Sequence, residues 1–225
     1  MPSSTENRRA GGQRGAIFGL AIEGEFAQRI NGLVLKNAKT DVMDSKNNGH
    51  SIKNSRKSNP RLLAKAYSCV TETNYPYSRF YPYIKARILK NKEEEKNECI
   101  RIAKNMNDPD FSKKILEEVM TGNEPNLKYL TCYDNRTESI AEDFTGKYRS
   151  FEISTIIDFY VKNLTWEAVL GKTHWSVKAT LPDFKKKAMS ICLGSEKRKL
   201  LLFNFDNMQS QLDYWEKCKI PVTIY

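Results

Sequence analysis

An acid, a hydroxyl and an amine fall close together in "TDVMDSKNNGHSIKN", Thr40 to Asn54: they are Asp41, Ser51 and Lys53. Side chains alternate along a strand, so Ser51 and Lys53 share one face and Ile52 turns to the other. Asn47-Asn48-Gly49 can supply the positive φ angles of a tight hairpin turn. Strands around Thr40–Met43 and His50–Asn54 are therefore predicted to pair and to bring Asp41 beside Ser51 and Lys53. A helix is predicted before them, from Ala16 to about Val34, because Phe18, Ile22, Phe26, Ile30 and Leu33 recur at helical spacing. Glu23 falls inside that apolar arc and Glu25 nearer its edge. A carboxylate on a buried face is costly unless it meets a cation or a metal. Glu23 therefore either pairs with a lysine or arginine for structural reasons or reaches the hairpin.

Two carboxylates, a hydroxyl and an ammonium at a sheet edge suit phosphodiester hydrolysis. A hard cation such as Mg²⁺ takes carboxylate and carbonyl oxygens, polarises the phosphate and lowers the pKa of a bound water. Asp41 is the expected main ligand, completed by the Ile52 carbonyl or the Glu23 carboxylate. Lys53 is expected to orient the water and to stabilise charge building on the phosphorane. A surface hairpin carrying a plain ion pair is the competing expectation.

Asp41, nine residues, Ser51, one residue, Lys53 resembles the motif of the PD-(D/E)XK nucleases, as found in type II restriction endonucleases, and Glu23 matches the glutamate that members often carry on the preceding helix. The resemblance covers roughly Gly15 to Cys69. It implies an αβ core with the site on a sheet edge, Mg²⁺ dependence, and a homodimer that cuts both strands of double-stranded DNA. Two positions depart from the pattern. Ser51 stands where the motif has an acid, and Thr40 where it has a proline before Asp41.

"THWSVKAT" repeats the Ser-x-Lys pattern at Ser176 and Lys178, with Glu167 upstream, and is a second candidate for the site. DNA contacts are expected from His50, which is otherwise an exposed turn histidine, from Asn54, Arg56 and Lys57 after the motif, and from Arg79. Arg79 lies in "YPYSRFYPYIKAR", where aromatics interleave with cations and could stack on bases or pack a core. "KNKEEEK" reads as a solvated helix face, and "SEKRK" as either a basic hairpin tip touching DNA or simply a soluble turn.

With 225 residues the chain can bury a core of its own. A formal charge of +10, spread along the whole length, favours a polyanionic partner. Five dispersed cysteines without a Cys-x-x-Cys pair, and only two histidines, argue for reduced thiols in a cytoplasmic protein and against structural zinc. No membrane span is expected, since Glu23 and Glu25 interrupt "AIFGLAI".

Further along, helices are predicted over "SNPRLLAKAYSCV", capped by Ser58 or Asn59, from about Ile84 to Met106, over Asp110–Met120 and over Asn207–Lys217. "NLKYLTCYD", "TWEAVLG", "HWSVKAT", "MSICLGS" and "KLLLFNFD" read as strands, and "FEISTIIDFYV" as either. The expected fold is mixed α/β or α+β, a central mixed sheet flanked by helices with a restriction-endonuclease-like core. Residues 1–14 are expected to form a flexible tail and 15–225 a single nuclease domain. Two other classes fit the composition: a nucleic-acid-binding protein without catalysis, and an assembly protein with an acidic protein partner.

Overall fold

Phe18, Ile22 and Phe26 recur every four residues and wind the first element into a helix, α1, over residues 18–29. The fold is that of a computed structural model, which describes residues 18–36, 39–55, 60–134, 146–195 and 198–225. The expected tail lies outside those residues. Ile22, Phe26 and Ala27 are buried in a cluster with Val42, Ile52, Tyr133 and Tyr148, and Phe18 and Ile30 pack at its margin. Burying Ile22 and Phe26 stabilises the fold by about 1.5–3 kcal/mol each. The helix stops sooner than its apolar repeat suggests. Asn31 turns to a φ of 51°, and the Gly32 N–H closes onto the Ala27 carbonyl at 2.8 Å, a left-handed stop that ends the helix. Leu33, expected on the apolar face, is exposed in a strand, and Leu20 is exposed as well.

The chain continues through β1 (Leu33–Val34), β2 (Val42–Met43), β3 (Gly49–Asn54) and β4 (Arg61–Ala66). Helices α2 (Tyr81–Ile88), α3 (Lys92–Met106) and α4 (Pro109–Thr121) follow. Next come β5 (Leu127–Asp134), β6 (Lys147–Glu152) and α5 (Ile153–Asn163). The last stretch holds β7 (Thr165–Leu170), β8 (Trp175–Thr180), β9 (Lys187–Leu193), β10 (Leu200–Phe205), α6 (Met208–Lys217) and β11 (Thr223–Ile224). The fold is thus mixed α/β, with two sheets. No helix among the described residues is long and apolar enough to cross a membrane.

The contacts group into two compact units. One gathers positions up to 56 with 124–152 and 221–225; the other gathers 57–123 and 153–220. The first unit carries α1 and a mixed sheet of order β1-β2-β3-β5-β6-β11. Only the β3–β5 pair is parallel; the other neighbours run antiparallel.

The second unit holds an antiparallel sheet of order β4-β10-β9-β8-β7. Its core includes Ile102 and Met106 of α3, Val177, Ile191 and Phe203 of the sheet, and Trp215 of α6.

Two further predicted elements differ, as does one residue of a predicted solvated face. The segment after Pro60 is an edge strand, because Leu63 to Ala66 find partners on β10 and the Pro60 carbonyl accepts from the Phe205 N–H at 3.0 Å; pairing outweighs helix propensity there. Its proposed caps Ser58 and Asn59 lie outside the described residues. The long charged helix breaks at Lys90, whose φ is 54°, and restarts where the Asn91 side chain accepts from the Glu94 N–H. Glu95, expected on a solvated face, is buried against Arg87, Nη2 to Oε1 being 2.7 Å.

Candidate functional site

The hairpin turn is built by Asp44 and Asn47, with Gly49 outside it. The Asp44 carboxylate accepts from the N–H groups of Lys46 and Asn48 and from the Asn48 side chain, and Asn47 takes the positive φ, 62°. These hydrogen bonds outweigh desolvation and hold the Asp44 carboxyl below its ordinary pKa. Gly49 lies in β3 and is needed for a different reason. A Cβ there would meet Thr40 Cγ2 at 2.7 Å.

The β2–β3 ladder contains only Val42↔His50 and Met43↔Gly49, whereas β3 runs on to Asn54. Beyond the ladder β3 has an open edge, and Asp41 sits where β2 leaves it. The Ile52 N–H donates to Asp41 Oδ2 at 2.6 Å. Lys53 Nζ donates to the Ile52 carbonyl at 3.1 Å and to Ser51 Oγ at 2.7 Å, and lies 3.7 Å from Asp41 Oδ2. The Ser51 hydroxyl faces the same carboxylate at 3.4 Å. Asp41 and Lys53 both keep part of their side chains open to solvent.

Glu23, half-buried on α1, belongs to the same electrostatic group. Burial raises its pKa, the Asp41 carboxylate raises it further, and the Lys53 ammonium opposes both. The structure therefore brings Asp41, Ser51, Ile52 and Lys53 together at one edge of one sheet, with Glu23 on α1 within electrostatic reach of Asp41 and Lys53.

The donor set fits a hard cation. It offers two carboxylates and one backbone carbonyl, all oxygen. Among the described residues no group of three or more His, Cys, Asp or Glu side chains is placed to hold a metal ion. A cation bound by two carboxylates would keep several waters, as Mg²⁺ usually does.

Glu124 was not legible in the sequence, yet it adjoins this group. Its carboxylate accepts from the Lys39 N–H at 2.6 Å, the Thr40 N–H at 2.8 Å and the Thr40 hydroxyl at 2.6 Å. Desolvation opposes its ionisation, but these hydrogen bonds prevail and hold its pKa below the usual value. Nothing in "NEPNLKYL" signals this, because its partners lie more than eighty positions away.

The remaining candidates are placed differently. His50 is a core residue, which corrects the expectation of an exposed turn histidine or a phosphate contact. Its ring is buried and stacked on Tyr129, and Nδ1 meets Thr131 Oγ1 at 2.9 Å. Burial pushes its pKa down to about 4, against the pull of Asp44. Asn54 is half-buried at the end of β3. Arg56 and Lys57 lie outside the described residues.

Arg79 belongs to the second unit and lines a shallow cavity of about 270 Å³ with Lys104, Asn105, Asp108 and Phe111. Within its aromatic segment Tyr77, Phe80 and Tyr83 are buried, so most of these rings pack the core.

Ser176 and Lys178 share a face of β8, but their surroundings differ from those of the hairpin. Ser176 Oγ approaches the Val169 carbonyl at 3.4 Å, Lys178 is paired in register with Glu167 and Ser190, and Glu167 forms its ion pair with Lys187. No family model, curated protein or solved structure matches the chain.

Proposed function

We propose that the chain is a Mg²⁺-dependent endodeoxyribonuclease of the type II restriction class, cutting double-stranded DNA as a homodimer, with a restriction-endonuclease-like core in the first unit. One observation carries this reading: Asp41, Lys53 and the backbone of Ile52 converge at the open edge of β3, with Glu23 close enough to feel both charges. The order of helix, antiparallel hairpin and parallel partner strand supports it.

Asp41, Glu23 and the Ile52 carbonyl would hold the cation, which would polarise the phosphate and acidify a bound water. The Lys53 ammonium, which donates to Ser51 Oγ and the Ile52 carbonyl, would orient the attacking water and offset charge on the phosphorane. Ser51 supplies a neutral oxygen that keeps the lysine over the site. The deciding experiment digests a mixed-sequence duplex with Mg²⁺ and maps the ends. Fixed cut positions are expected, lost in Asp41→Ala and kept in Lys178→Ala. An intact duplex in both Mg²⁺ and Mn²⁺ would overturn the reading.

The 3.7 Å approach of Lys53 to Asp41 also suits a nucleic-acid-binding protein without catalysis. That alternative requires metal-independent binding, no cleavage, and indifference to Asp41→Ala.

A further inference from the structure

We infer that Glu124 is a positioning residue for Asp41, acting through Thr40; this rests on the nuclease reading above. Asp41 lies just outside the two residue pairs of the β2–β3 ladder, its N–H donating to the His50 carbonyl and its own carbonyl accepting from the Leu35 N–H, both at 2.9 Å. A different segment of the chain holds the residue that precedes it.

Glu124 does so with three hydrogen bonds, two to successive N–H groups and one to the Thr40 hydroxyl. Thr40 is buried, and its side chain lies against Gly49. The Gly49 N–H in turn donates to the Asn126 carbonyl at 2.6 Å. One short segment, Glu124 to Asn126, thus grips both strands of the hairpin, the first through Thr40 and the second through Gly49.

The arrangement also accounts for Thr40 standing where the motif it resembles has proline. A proline has no N–H to donate and no hydroxyl. Here both Thr40 groups are bonded to Glu124. One peptide further on, Asp41 Oδ2 meets the Ile52 N–H at 2.6 Å, so a displaced Thr40 would carry that carboxylate away from its partner. A shift of about 1 Å at a reacting centre can cost about 100-fold in rate.

The test uses the full chain and four variants: Glu124→Ala, Glu124→Gln, Thr40→Val and Thr40→Ser. The first readout needs neither metal nor substrate. Hydrogen exchange at the Ile52 amide should quicken about tenfold or more in Glu124→Ala and Thr40→Val, while amides of β9 in the second unit keep wild-type rates. Calorimetric titration with Mn²⁺ should show affinity about 10- to 100-fold weaker in both. Cleavage should lose kcat, with KM for DNA within about twofold. Thr40→Ser, which keeps the hydroxyl, should restore all three readouts, and Glu124→Gln should fall between.

If Glu124→Ala does not fold, the Thr40 pair carries the comparison. Wild-type Ile52 exchange and Mn²⁺ affinity in Thr40→Val would overturn the inference alone. A wild-type chain that takes up no Mn²⁺ and cuts nothing would overturn the nuclease reading, and this assignment with it.

Discussion

Lys53 is held by oxygens on two sides, Ser51 Oγ and the Ile52 carbonyl, and neither comes from the acid it is meant to assist. Its charge therefore stays over the open edge of β3, at 3.7 Å from Asp41 Oδ2. Lys53→Ala is expected to lower cleavage about 100- to 1000-fold while leaving duplex binding within about threefold, read by single-turnover kinetics beside anisotropy titration. This part of the site was legible because alternation and a hairpin are local features.

His50 shows where local reasoning ends. Its neighbours Tyr129 and Thr131 come from β5, which sequence spacing does not associate with it. Its folded pKa, about 4, lies below the ordinary 6.5, so the unfolded chain binds the extra proton in that window. Stability from the neutral ring is complete above pH 6.5 and is lost as pH falls toward 4, by up to about 3 kcal/mol. Denaturation of wild type and His50→Phe at several pH values should show a smaller pH slope in the variant across that window.

Among the elements, the hairpin depends on a strand glycine more than on its turn. Asn-Asn-Gly correctly marked a reversal, but Gly49 is conformationally ordinary and serves close packing with Thr40. Gly49→Ala is expected to destabilise the chain by about 1–3 kcal/mol and to displace Thr40, measured by urea denaturation and by the Ile52 amide shift. Elements defined by their own periodicity, α4 and α6, matched the sequence closely. Those defined by partners did not. β4 reads as a helix until β10 is available to pair with it, and "FEISTIIDFYV" divides at Glu152, with β6 ending there and α5 beginning at Ile153. The long charged helix failed for another reason. Lys90 turns left-handed so that α3 can begin afresh at an asparagine cap, which places Glu95 against Arg87.

At the scale of the whole molecule, charge was the most legible property. With a formal +10 spread over the chain, duplex affinity is expected to fall by about 1000-fold or more between about 50 and 200 mM salt. Anisotropy titrations across that range would check this, and a flat profile would count against a phosphate-backbone interface. The division into two units was not legible, because neither unit is a continuous stretch. Each sheet gathers strands from distant parts of the sequence, and no composition shift marks the crossings.

That discontinuity has a consequence for synthesis. On the ribosome Asp41 and Lys53 emerge early, yet the carboxylate that arrests Thr40 follows 84 positions behind it. A nascent hairpin would stay slack through that interval, so the edge that Asp41 and Lys53 share would take its final form only late in translation.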